Sequence, residues 1–173
     1  MNTKQLWGWA LMMLISLPLS AQKIGYTNLE LVLAYLPETK SVQQQVQTYS
    51  QQLSKRLETR KAYFDTKYQE YAELAQSGGT EAQLMPMQEE LQKLQAEVQR
   101  EAAKAEQQLA EKQGQLMAPI LEKLEAEIKA IASEKGYLYI LNSSASGTSV
   151  ILHAAEADDI SKLLLQRLGV SVD

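Results

Sequence analysis

Ala75-Gln76-Ser77-Gly78-Gly79-Thr80 separates two long stretches that both read as helix, and the fold follows from that arrangement. Ser41 to Ala75 contains no Pro or Gly, and Thr80 to Met117 contains only Pro86 near its start and Gly114 near its end. At 1.5 Å of rise per residue each stretch is roughly 50 Å long, too long for one helix of a small compact domain. Two such helices joined by Gly-Gly predict an antiparallel hairpin, an arm that offers surface in place of an enclosed pocket.

The apolar pattern along the arm is narrow. It falls at Val42, Val46, Tyr49, Leu53, Leu57, Phe64, Tyr68, Tyr71 and Ala75 on the outgoing leg. On the returning leg it falls at Leu84, Met87, Leu91, Leu94, Val98, Ala102, Ala105, Leu109 and Leu116. Steps of three and four with one stutter are those of a coiled-coil seam, wide enough to hold the other leg and too thin for a broad core. Tyr63, Leu74 and Met85 lie beside that seam near the turn. Methionine and tyrosine suit a surface that must accept many shapes. The candidate binding residues are therefore Tyr63, Phe64, Tyr68, Tyr71, Leu74, Leu84, Met85 and Met87, with the plain seam role as the competing reading for each.

Residues 1–21 read as a secretory signal: Lys4 supplies the positive start, Leu6 to Leu19 the apolar run, and Ser20-Ala21 the small residues before a cut at Gln22. The run is short for a membrane span. What remains carries sixteen basic and twenty-one acidic residues, a net of minus five. That balance leaves no basic patch to neutralise nucleic-acid phosphates. The chain has no cysteine, which removes disulfide staples, zinc-thiolate sites and a thiol nucleophile.

Two segments outside the arm must form a body. Lys23 to Thr27 reads as a strand, and Asn28 caps a short helix, Leu29 to Leu36, that stops at Pro37. At the other end Gly136 ends a helix, Tyr137 to Leu141 and Ser149 to His153 read as strands, and Asp158 or Asp159 caps a helix over Ile160 to Leu168. Pro119 predicts a kink where arm joins body, with the apolar spacing continuing through Ile120, Leu124, Ile128 and Ile131. The fold class is α+β and mostly α: a small β-containing body, residues 22–40 and 119–173, carrying a coiled-coil arm over 41–118 with its turn near 76–80. A body of 74 residues with apolar strands is marginal alone. It calls for assembly with further copies of itself.

No constellation for chemistry is legible. His153 is the only histidine and stands at the end of an apolar run, where a structural role outweighs that of a lone ligand or base. Ser143, Ser144 and Ser146 lie in turn-rich sequence with no histidine patterned around them. There is no glycine-rich phosphate loop. The expectation is a protein without catalytic, metal-binding or cofactor-binding residues.

The opening Lys23-Ile24-Gly25-Tyr26-Thr27-Asn28 with its helix, the long charged hairpin, the strand after Lys135-Gly136 and the closing Asp159-Ile160-Ser161 together resemble the Skp/OmpH family of periplasmic chaperones. The order of elements carries the resemblance more than any one residue. It implies a homotrimer with a shared β-containing body and three helical arms around a cavity, located in the periplasm. It also implies a holdase that keeps unfolded outer-membrane proteins from aggregating without ATP. The best-known members have basic arms, whereas Tyr68 to Gln92 here holds Glu70, Glu73, Glu81, Glu89 and Glu90 and no Lys or Arg. Contact with lipopolysaccharide or anionic lipid is accordingly not carried over from the resemblance. The alternative is an exported coiled-coil scaffold or adaptor of the cell envelope, which would dock one folded partner.

Overall fold

A computed structural model describes residues 22–171. The expected signal, residues 1–21, lies outside them. The arm is built from α2, Pro37–Gln76, and α3, Glu81–Lys135, preceded by strand β1, Ile24–Thr27, and helix α1, Leu29–Tyr35. After α3 come β2, Tyr139–Asn142, the short pair β3, Ser144–Ala145, and β4, Thr148–Ser149, a 3-10 turn at Glu156–Asp158, and α4, Ser161–Arg167.

The turn at the tip closes as the two glycines require. Gly78 has a φ of +85°, the left-handed conformation that glycine adopts without steric cost. With it in place, Gly79 N–H donates to the Leu74 carbonyl at 2.9 Å and Gly78 N–H to that of Ala75 at 3.4 Å, a Schellman ending for α2. Thr80 then opens α3 with a reciprocal capping box to Gln83. A Cβ on Gly79 would lie 2.7 Å from Leu74 Cγ and 2.9 Å from its carbonyl oxygen, so this position has no room for any other residue.

Both helices exceed the expected legs. α1 stops before Pro37 as expected, with Leu36 extended between them, and Pro37 itself occupies the first turn of α2, where a missing N–H costs nothing. Only Leu36 lies between the two helices, and it is 2 % exposed, a buried pin at the corner. α3 is 55 residues long and runs unbroken through Pro86 and Pro119 into the body, roughly 80 Å in all. The joint at Pro119 is thus spanned by continuous helix. Across the hairpin Arg56 meets Glu101 at 2.6 Å and Arg60 meets Glu97 at 2.9 Å. Exposed pairs of this kind contribute at most about 1 kcal/mol each, and they fix the register of two legs whose seam is thin.

The body core gathers Val32 and Leu36 from the first corner, Val42 from the base of α2, Ile120, Leu124 and Ile131 from α3, and Ile160, Leu164, Leu165 and Leu168 from the C-terminal end. The two ends of the chain also share a sheet: β1 pairs in parallel with β2, Ile24 opposite Tyr139 and Thr27 opposite Asn142. A parallel pair needs a long crossover, and here the whole arm is that crossover. A Cβ on Gly25 would sit 3.1 Å from the Tyr137 ring, so a side chain there would press on that ring. The Lys23 ammonium lies 4.2 Å from the centre of the same ring. Beneath the sheet the buried hydroxyls of Thr27 and Ser161 are 3.0 Å apart, and Ser161 Oγ also accepts from Asn28 N–H.

Three strand and cap expectations are corrected. The second strand starts at Tyr139 in place of Tyr137 because Tyr137 turns inward over Gly25. Ser149 to His153 is not a strand: only Ser149 pairs, within a two-residue hairpin closed by Ser146 and Gly147, whose φ values are +52° and +75°. Beyond it Leu152 is 96 % exposed, so the apolar run signals surface. Asp159 does accept the Ser161 N–H at 2.8 Å, but Ile160 is the capping position and α4 ends at Arg167.

Arg167 ties α4 to α3. Its guanidinium pairs with Glu134 and, at 3.7 Å, with Glu127. The hydrogen bond from Arg167 holds the Glu134 carboxyl below its ordinary 4.5. A carboxyl whose pKa is lowered on folding contributes stability that is fully present above its unfolded value and lost as pH falls through the folded one. Arg167→Gln should therefore lower the melting midpoint modestly at neutral pH, where the contribution is present, and flatten its fall below about pH 4.5 so that variant and parent converge in acid, as read by circular dichroism melts across pH.

Candidate binding surface

The eight candidate residues do not form one surface. Phe64, Tyr71, Leu84 and Met87 are half-buried in the seam, as the three-and-four spacing requires. Leu74 is also half-buried, because its side chain and carbonyl back the Gly79 turn. The sequence placed Leu74 off the seam, and the turn supplies the neighbour that the seam does not. Tyr68 and Ala75, expected within the seam, are exposed. Tyr68 departs because Lys67 and Tyr71 take the inward positions on either side of it.

Three of the eight remain open to solvent: Tyr63 at 48 %, Tyr68 at 56 % and Met85 at 53 %. Tyr63 and Tyr68 are five positions apart, which sets them about 140° apart around α2, one on each side of the seam. Met85 lies on the outer side of α3, between half-buried Leu84 and Met87. The arm thus shows isolated apolar side chains on several faces. Tyr68 is steadied by Phe64, whose ring is stacked against it at 6.4 Å. The Tyr63 hydroxyl is 3.5 Å from Glu90, and the Lys67 ammonium sits 5.8 Å from the centre of its ring. Lys67 is held protonated above its ordinary range mainly by its 2.7 Å hydrogen bond to Glu70.

A second apolar surface lies on the body. Ile24, Tyr139 and Leu141 are 46 %, 54 % and 48 % exposed on one face of the two-stranded sheet, and β2 has no strand on its outer edge among the described residues. Val150 and Leu152 are exposed in the segment that follows the β3-β4 hairpin. The sequence pointed to the strand Tyr137 to Leu141 as an edge that invites pairing, and did not single out Ile24, Val150 or Leu152. The alternation Ile24, Tyr26 and Tyr139, Leu141 on register-matched strands was the available signal.

At the joint, Leu36, Val42, Leu116, Pro119 and Ile120 line an open groove of about 360 Å³ with the Glu38-Lys123 pair on its rim. The serines have structural partners: Ser144 Oγ donates to Asn28 Oδ1 at 3.0 Å and Ser146 forms the hairpin turn. His153 stands exposed outside any strand. Among the described residues no group of three His, Cys, Asp or Glu side chains is placed to hold a metal ion, and no helix is long and apolar enough to cross a membrane.

A long two-helix arm rooted in a small body, with open apolar side chains on both, has the architecture of a binding protein. The sequence profile of the family described as Outer membrane protein (OmpH-like) matches residues 23–168, and the chain belongs to that family. A crystal structure of a proposed outer membrane chaperone (OmpH-like) from Caulobacter crescentus has a similar fold. It aligns with a TM-score of 0.69 at 13% identity, over 86% of this chain and 85% of the other. No curated protein sequence matches the chain.

Proposed function

We propose that the protein is an ATP-independent holdase of the periplasm that keeps unfolded outer-membrane proteins from aggregating in a cavity between the arms of a homotrimer. The observation that carries this reading is the placement of Tyr63, Tyr68 and Met85 in solvent on separate faces of a long arm. Scattered apolar contacts hold an unfolded chain weakly at many points and release it without an energy source. An unfolded β-barrel strand exposes apolar residues at alternate positions and aggregates in water, which is the substrate such contacts suit. Family membership and the similar fold of the Caulobacter protein support the same reading. The open sheet face at Ile24, Tyr139 and Leu141 is the surface through which copies would assemble.

Tyr63→Ser, Tyr68→Ser and Met85→Ser combined should weaken protection of an unfolded barrel protein, followed by light scattering, with helical signal and oligomeric mass unchanged. Holding of an acidic client should survive, or improve with, moderate salt, since screening relieves repulsion from the acidic tip. Strong loss with salt and no effect of the triple change would assign the holding to charge. The export reading has its own check: N-terminal sequencing of the protein recovered from the periplasm should begin near Gln22, and retention of Lys4 would remove the basis for it.

A further inference from the structure

The charge on the arm is segregated along its length. Tyr68 to Gln92 carries five glutamates and no Lys or Arg, while the rest of the arm, 41–67 and 93–118, carries nine basic and six acidic residues. In the shaft two ion pairs cross the hairpin, Arg56 with Glu101 and Arg60 with Glu97. At the tip, two of the five glutamates have a local explanation: Glu70 pairs with Lys67, and Glu81 stands in the first turn of α3, where a carboxylate favours the helix dipole. Of the other three, Glu73, Glu89 and Glu90, only Glu90 has a polar side-chain partner among the described residues, the Tyr63 hydroxyl at 3.5 Å. They join no ion pair among the described residues. Glu73 lies in the last turn of α2, which holds no basic residue, so its charge opposes the dipole there.

These carboxylates stand beside the open apolar side chains. Glu89 is four residues from Met85 on the outer side of α3, the spacing of side-chain neighbours, and Glu90 reaches the Tyr63 hydroxyl across the hairpin. We propose that the outer third of the arm is a docking surface for unfolded polypeptide in which apolar residues alternate with lysine or arginine. Tyr63, Tyr68 and Met85 take the apolar positions, and Glu73, Glu89 and Glu90 supply the missing charge complement. This specifies the client class within the holding role proposed above and rests on that role.

Two unfolded peptides of identical apolar content, alternating with Lys in one and with Glu in the other, distinguish the claims by fluorescence anisotropy with the full mature protein. At low ionic strength the Lys peptide should bind about tenfold tighter, as several exposed charge pairs together provide. The preference should collapse near ~1 M salt, where the Debye length is about 3 Å. Glu73→Gln, Glu89→Gln and Glu90→Gln together should abolish most of it without weakening the Glu peptide. Equal binding of both peptides, or a preference that survives the triple neutralisation, overturns the assignment and leaves the holding role standing. Binding of neither peptide removes the holding role and this inference with it.

Discussion

Excision of Arg60 to Arg100, with the two helices rejoined by a short glycine turn, is expected to leave the number of chains per assembly unchanged and to abolish protection of unfolded clients. The excised segment removes Tyr63, Tyr68, Met85 and the acidic tip, and with them the Arg60-Glu97 pair. It leaves the Arg56-Glu101 pair, the buried seam residues Val42 and Leu53, and the entire body core. Native mass spectrometry reads the assembly, and light scattering of an aggregating barrel protein reads the protection. A monomeric product would move the assembly contacts from the sheet face to the arms. Full protection by the truncated protein would move the binding surface to the body or the groove at the joint.

Leu164→Ala is expected to be the most damaging single substitution in the body. Leu164 is 0 % exposed in the middle of α4, and its helix closes the core against α1 and α3. Truncating a fully buried leucine costs about 3 kcal/mol through lost burial and the cavity left behind. A body of this size has only about 3–5 kcal/mol from its own core, so the substitution removes most of it. The expected result is loss of β1-β2 pairing and of assembly, because Thr27 is tied to Ser161 at the start of the same helix. The arm should remain helical, since its seam does not use Leu164. Urea titration followed by far-ultraviolet circular dichroism and by native mass would separate the two. Simultaneous loss of arm and body, or an unchanged midpoint, would contradict this division of the fold.

The position of Leu74 shows where a reading by periodicity stops. Spacing set it beside the seam, but the Schellman ending forced by Gly78 brings Gly79 down onto it. The contact is made by a turn, which has no period. Val150 to His153 shows the converse: an apolar run that has no strand partner among the described residues and leaves Leu152 almost wholly in solvent. Apolarity marks what must be covered, and pairing depends on what arrives beside it.

The sequence by itself determined the hairpin, its Gly-Gly turn, the narrow seam and the mostly helical class, because each rests on local backbone preference and on spacings of three and four within one helix. It also determined the acidic tip, which is a matter of counting. Only the tertiary structure decided that β1 and β2 pair in parallel across the length of the arm and that Pro37, besides ending α1, opens α2. It also separated the candidates into half-buried Phe64, Tyr71, Leu74, Leu84 and Met87 and open Tyr63, Tyr68 and Met85. These outcomes depend on contacts between residues far apart in the chain, and a one-dimensional pattern contains the period of a face but not the identity of what lies against it.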